Sequence, residues 1–201
     1  MVDGGLDMQH IISGDGPVGF NGDCLFAVTS TCYSSGNAHG PLVAGVIAGR
    51  DNDQGYIGVA TALANFASVK VAYDNGAVDP GAVAAGLEWA AATGYPRHIV
   101  NMSLGFCDNY AIIANAVQLA ANAGILMVAP VGNDNYSCGS AGGLPMINYP
   151  ARYAEVIAVS GTTEDDTFWG QPRTPCGTVV SLHGLDAELA APYWSYSMAL
   201  G

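Results

Sequence analysis

Between residues 66 and 161, short apolar runs alternate with helix-periodic segments, and no other feature constrains the fold as much. "FASVKVA" (66–72), "HIVNMSL" (98–104), "ILMVAPV" (125–131) and "EVIAVSG" (155–161) have the length and apolar content of buried strands. "DPGAVAAGLEWAAATG" (79–94) separates the first two. There Asp79 suits an N-cap, Pro80 the first helical position, and Gly94 the position just past the end. Val83, Leu87, Ala90 and Ala91 share one face of that helix. "YAIIANAVQLAANAG" (110–124) repeats the pattern, with apolar pairs at 112/113, 116/117 and 120/121, and closes at Gly124. Strands alternating with helices predict an α/β fold with a mostly parallel sheet and helices on both faces. In such sheets the chemistry gathers beyond the carboxyl ends of the strands.

Composition narrows the reading. The chain has 201 residues, half of them hydrophobic and 11% charged, which suits a single core-rich domain over 1–201. No linker, repeat or low-complexity segment interrupts it. The formal net charge of −12, with only five Lys plus Arg, argues against a nucleic-acid or anionic-membrane partner. Such acidity suits a secreted protein and could favour calcium, although solubility is the plainer reading. The five cysteines (Cys24, Cys32, Cys107, Cys138 and Cys176) form no CxxC pair, which speaks against structural zinc. Their odd number leaves at least one outside any intramolecular pairing. "MVDGGLDMQH" lacks the basic start and apolar stretch of a secretory signal. The most apolar region, 111–131, is broken by Asn115, Gln118 and Asn122, so it does not read as a membrane span. Residues 133–149, "NDNYSCGSAGGLPMINY", read as a long glycine-rich loop of the kind that often carries function.

Four short stretches hold candidate reactive groups. In "NAHGPLVAGVIAG" (37–49), Leu42, Val43, Val46 and Ile47 have helical spacing and Pro41 is tolerated only in a first turn. His39 is thereby placed at a helix N-terminus, where an imidazole can face a cleft; by position alone it reads as a capping or surface histidine. "VDGGLD" (2–7) looks like a strand end turning sharply at Asp3, with a flexible terminal aspartate as the alternative. "VAPVGNDN" (128–135) ends a strand and presents Asn133, whose amide could donate to an oxyanion; an ordinary Gly-Asn turn reads equally well. "YWSYSMALG" (193–201) carries Ser197, either a nucleophile or part of a loose tail.

Taken together and in order, these stretches resemble the subtilisin-like serine proteases, the subtilases. The chain order Asp, His, Ser is that of subtilisin. "VDGGLD" resembles D-[ST]-G-[IV], and "HGPLVAGVIAG" resembles H-G-T-x-V-A-G. "GYIGVATALANFASVKV" resembles G-V-x-G-V-A-P and the strand after it. "IVNMSLG" is similar to the family's central strand, "VAPVGN" to V-A-A-A-G-N, and "SYSMA" to G-T-S-M-A. "YPARYAEVIAVSGT" (149–162) also follows the family. The resemblance runs essentially from end to end and implies a three-layer subtilisin-like architecture.

The resemblance implies a serine endopeptidase in which Ser197 is the nucleophile, His39 the general base and Asp3 its orienting partner. Asn133 and the Ser197 N–H would stabilise the oxyanion. Ser103, Leu104, Gly105 and Gly132 would line the cleft and pair with an extended polypeptide. It also implies bridges between Cys107 and Cys138 and between Cys24 and Cys32. No cofactor is required, and calcium would act only in stabilisation. The departures are Gly4 for Ser or Thr, Pro41 for Thr, and Ser195-Tyr196 for Gly-Thr. Against the family pattern the chain looks short at both ends, which would uncover apolar faces and lead to a homo-oligomer or exchanged elements. An esterase using the same serine, or an inactive pseudo-protease acting as a binding module, are the alternatives at this stage.

Overall fold

The computed structural model describes residues 2–3, 24–26, 39–49, 51, 57–60, 66–73, 75–93, 99–132, 147–162 and 189–192. The chain divides into two compact units, Met1–Trp89 and Ala90–Gly201.

In the first unit, β1 (Val2–Asp3), β2 (Cys24–Phe26) and β3 (Ser68–Lys70) form a parallel sheet in the order β1-β3-β2. The central strand is buried throughout, as a parallel strand should be. Its register sets Asp3 beside Lys70 on one side and Phe26 beside Lys70 on the other. Helix α1 (His39–Ala48) begins at the predicted histidine. Its buried positions are Ala44 and Ala48, together with Gly40 and Gly45, while Leu42, Val43, Val46 and Ile47 are only half-buried. The small residues therefore make the close approach and the larger ones flank it.

The carbonyls in the last turn of α1 are satisfied by chain from outside the helix. The N–H groups of Gly58, Val59 and Ala60 donate to Gly49, Val46 and Ile47 oxygens at 2.8, 2.9 and 2.8 Å. This contact needs a bare Cα. A Cβ on Gly58 would collide with Gly49 N and lie 2.8 Å from both Ala48 N and Gly45 O. Helix α2 (Pro80–Ala92) starts where the sequence indicates. Asp79 Oδ1 accepts from the Ala82 N–H at 2.8 Å, a side-chain cap for a donor the helix cannot satisfy itself. Val83 and Leu87 are fully buried and Ala90 nearly so. Each large side chain of this kind contributes about 1.5–3 kcal/mol by burial.

The second unit holds β4 (Ile99–Asn101), β5 (Leu126–Pro130), β6 (Val156–Thr162) and β7 (Leu189–Pro192), all parallel and paired in chain order. Helix α3 (Ala111–Asn122) buries Ile113, Ala116, Val117 and Ala120. Only one member of the first predicted pair goes inside: Ile113 is fully buried and Ile112 half exposed, whereas both members of the second pair, Ala116 and Val117, are buried. The helix closes with Gly124 at φ +78°, the Gly124 N–H donating to Ala121 O and the Ile125 N–H to Ala120 O. That pair of bonds is the Schellman arrangement. Strands β2 and β7 were not anticipated from sequence; each is short, three and four residues.

Candidate active site

Two of the predicted groups lie in the first unit. Asp3 is the last residue of β1 and therefore stands at the carboxyl end of a parallel strand. His39 is the first residue of α1 and half-buried. Asn133 and Ser197 lie outside the described residues, as do Cys32 and Cys138.

The second unit places the predicted substrate-binding residues at the carboxyl ends of β4 and β5. The ladder runs one residue past β4, the Met102 N–H donating to Val128 O at 2.9 Å. Ser103 follows, half-buried, its Oγ accepting from the Asn101 amide at 2.8 Å. The Leu104 N–H turns back to Met102 O at 2.9 Å and the Leu104 side chain is buried, so Leu104 can face a peptide only through its backbone. Gly105 is exposed. Gly132 ends the run after β5 with φ +107°, a conformation that favours glycine.

A third segment crosses these two strand ends. Phe106 and Tyr149 form an antiparallel bridge, with N–H to oxygen distances of 2.7 and 2.9 Å. The Asn148 N–H donates to Val131 O at 2.9 Å. Asn148 itself is a buried polar residue that sequence reasoning missed. Its carboxamide lies against the bare Cα of both glycines. A Cβ on Gly105 would be 3.0 Å from Asn148 Nδ2, and one on Gly132 would be 2.7 Å from Asn148 Cγ and closer still to Nδ2. The only signal in the sequence was an amide at the end of a glycine-rich loop, immediately before Tyr149-Pro150.

An aromatic cluster flanks this crossing. Tyr149 and Tyr153 rings lie 4.8 Å apart, and the Arg152 guanidinium sits 5.5 Å from the Tyr149 ring centre. Tyr153 donates its hydroxyl to Asn109 Oδ1 at 2.8 Å. Burial, and secondarily the neighbouring Tyr149, raise the Tyr153 pKa above the ordinary phenol value. Lys70 was also missed: a lysine buried in the central strand of the first sheet, registered beside Asp3. Its signal was a lone charge inside the run "FASVKVA".

Cys107, just past β4, is disulfide-bonded. Cys24 begins β2. Among the described residues no group of three or more His, Cys, Asp and Glu could hold a metal ion, and no helix is long and apolar enough to cross a membrane.

The subtilase family model matches residues 7–200. That span takes in His39, Ser103 to Gly105, Gly132, Asn133 and Ser197; Asp3 precedes it. The chain is 37% identical over 171 residues to a thermostable alkaline protease of Halalkalibacterium halodurans, an alignment covering 85% of this chain and 42% of the protease. It is 33% identical over 180 residues to subtilisin Savinase of Lederbergia lenta, covering 90% of this chain and 63% of the relative. Against alkaline elastase YaB of a Bacillus species the figures are 36% over 186 residues, 92% and 46%. The chain thus spans about half the length of the relatives it matches. A continuous match through both units, together with the parallel strand ends that carry the motifs, makes this chain a member of the subtilase family.

Proposed function

We propose that this chain is the catalytic domain of a serine endopeptidase that cuts polypeptides. The observation that carries the reading is the match to the subtilase family over 7–200, within which His39 heads a helix and Gly132, two residues past β5, immediately precedes Asn133 in sequence. One match running through both compact units supports treating them as a single domain. The relatives' names, alkaline protease and subtilisin, point to peptide bonds.

In this mechanism the Ser197 Oγ attacks the scissile carbonyl while His39 takes its proton. Asp3 holds the imidazole and stabilises the imidazolium. The carbonyl oxygen gains a full negative charge, which the Asn133 amide and the Ser197 N–H stabilise more strongly than they do the neutral ground state. His39 then returns the proton to the leaving amine, and the acyl group remains on Ser197. A water, deprotonated by His39, releases the acid and restores the hydroxyl. The backbone of Ser103 to Gly105, at the end of β4, pairs with the extended substrate as an added strand.

We place the protein outside the cell, where a disulfide at Cys107 persists. Its bridge is assigned to Cys138, which follows the neighbouring strand as Cys107 follows β4.

The decisive experiment is hydrolysis of a peptide anilide by Ser197→Ala. The expected loss is about 10⁴-fold or more in kcat with the fold intact; unchanged turnover refutes the assignment. Asn133→Leu is expected to lose about 10²–10³-fold in kcat, the range already known for the oxyanion asparagine of subtilisin.

A further inference from the structure

Among the described residues, Lys70 is the one buried side chain that carries a charge. It is 1% exposed and lies on β3, the middle strand of the β1-β3-β2 sheet. A parallel strand in that place normally carries apolar residues, and Val69 and Val71 on either side of Lys70 follow the rule. A lysine is almost never fully buried unless its charge is paired, because an ammonium taken out of water loses more than packing returns. Ser68 stands two residues earlier on the same face, but its hydroxyl has no hydrogen-bond partner and so does not hold the ammonium.

The register points to the counter-charge. Lys70 is the Cα partner of Asp3 on one side and of Phe26 on the other, and all three are the last residues of their strands. Phe26 offers no charge. Partners in register share a face of the pleated sheet, and neighbouring strands run about 4.8 Å apart. An ammonium and a carboxylate thus start from adjacent positions at the carboxyl end of this sheet, where parallel sheets gather their chemistry. The other described acids of this unit are engaged or turned to solvent. Asp51 and Glu88 are exposed, and the Asp79 carboxylate accepts from the Ala82 N–H and the Tyr73 hydroxyl. Helix α1 carries no titratable group besides His39, and β2 none besides Cys24.

We infer that Lys70 is a positioning residue, its ammonium pairing with the Asp3 carboxylate and setting the charge that His39 senses. The inference rests on the peptidase reading, with Asp3 as the partner of His39. Lys70 touches no reacting atom, and no proton passes through it. The pair gives the carboxylate a second, charge-assisted contact, which fixes its direction toward the imidazole. The ammonium also opposes the imidazolium, so His39 stays a free base to lower pH than Asp3 alone would allow.

The test compares Lys70→Met and Lys70→Arg with the unaltered chain on one peptide anilide. Met keeps the length and removes the charge; Arg keeps the charge. With Met, kcat should fall about 10-fold. The acid limb of kcat/KM should move up by about half a pH unit. With Arg the limb should stay in place. A merely structural lysine would change stability and leave the limb alone, so an unmoved limb in folded Lys70→Met overturns the inference. So does a limb that moves equally with Arg. Where turnover is slow, the limb is read from the pH dependence of Ser197 labelling by a fluorophosphonate.

Melts give a reading that needs no turnover. Asp3→Asn leaves the buried ammonium without its counter-charge and should lower the melting midpoint; in a Lys70→Met background it should lower it much less. Equal losses in the two backgrounds overturn the pairing. If Lys70→Met does not fold, Asp3→Asn alone decides, and an unchanged midpoint overturns the inference. A folded, unaltered chain that neither turns over nor labels at Ser197 overturns the peptidase reading, and with it the part of this pair in catalysis. An active chain whose limb ignores the charge at residue 70 overturns this inference alone.

Discussion

Helices α1 and α3 end in opposite ways. Helix α3 finishes with its own sequence: Gly124 takes φ +78°, two N–H groups fold back onto Ala120 and Ala121, and a Cβ on Gly124 would meet nothing within 4 Å. Helix α1 finishes with borrowed groups, the N–H donors of Gly58, Val59 and Ala60, across a contact so close that residue 58 cannot carry a side chain. The first kind of ending is local and tolerant. The second is tertiary, and the helix that begins at His39 depends on it. A candidate general base has therefore been mounted on an element whose far end is fixed by a segment about ten residues further along the chain.

Gly58→Ala should break the contrast most severely. The added methyl meets backbone atoms that have nowhere to go, and overpacking of that kind costs about 3 kcal/mol. Urea melts should show this loss, and amide exchange should show Val59 and Ala60 losing protection before the strands do. A Gly58→Ala protein with unchanged stability would mean that the 58–60 segment does not close α1.

Gly132→Ala comes next. Its methyl would strike the Asn148 side chain and the backbone would be held at φ +107°. Because the obstacle is a side-chain end and not backbone, the expected cost is smaller, about 2 kcal/mol. Combining it with Asn148→Gly should recover part of the loss, leaving the φ penalty. Full additivity in that double-mutant cycle would show that the two residues do not touch.

Two local endings calibrate the comparison. Asp79→Ala removes the acceptor of the Ala82 N–H and should cost about 1 kcal/mol. Gly124→Ala should likewise cost about 1 kcal/mol, since only the positive φ opposes it. Both effects should stay below that of Gly58→Ala in the same melts.

These differences also mark how far the sequence could be read. Helices α2 and α3 were legible to within a residue or two, because Asp79, Pro80 and Gly124 state their ends in local chemistry. Strands β3 to β6 were legible as apolar runs, although β3 and β4 are shorter than the runs that announced them. The burial of α1 was not. Leu42, Val43, Val46 and Ile47 have the expected period, yet the residues inside are Ala and Gly, because the approach of the 57–60 segment selects for smallness over hydrophobicity. Of the candidate site, motif order identified Asp3, His39, Asn133 and Ser197 by resemblance, and Gly105 and Gly132 as cleft residues. Asn148 escaped because its role comes from crossing two strand ends far from it in sequence. Nothing in its neighbours' side chains encodes that crossing; the backbone bonds to Val131 and of Tyr149 to Phe106 do.

The smallest expected effect concerns alkali. Tyr153 in the folded chain has a pKa raised above the ordinary phenol value of about 10, first by burial and then by Tyr149. The folded state therefore holds this proton more tightly than the unfolded state does. Its contribution to stability is complete below about pH 10 and is lost as pH rises through the folded-state value. The hydroxyl also donates to Asn109 Oδ1, a bond that the phenolate cannot make. Tyr153→Phe should thus lower stability slightly at neutral pH, by about 0.5 kcal/mol for the lost, solvent-exposed hydrogen bond, and should flatten the decline above pH 10. Parallel alkaline melts of the two proteins check this, and parallel curves through that range would show that Tyr153 ionises as freely folded as unfolded.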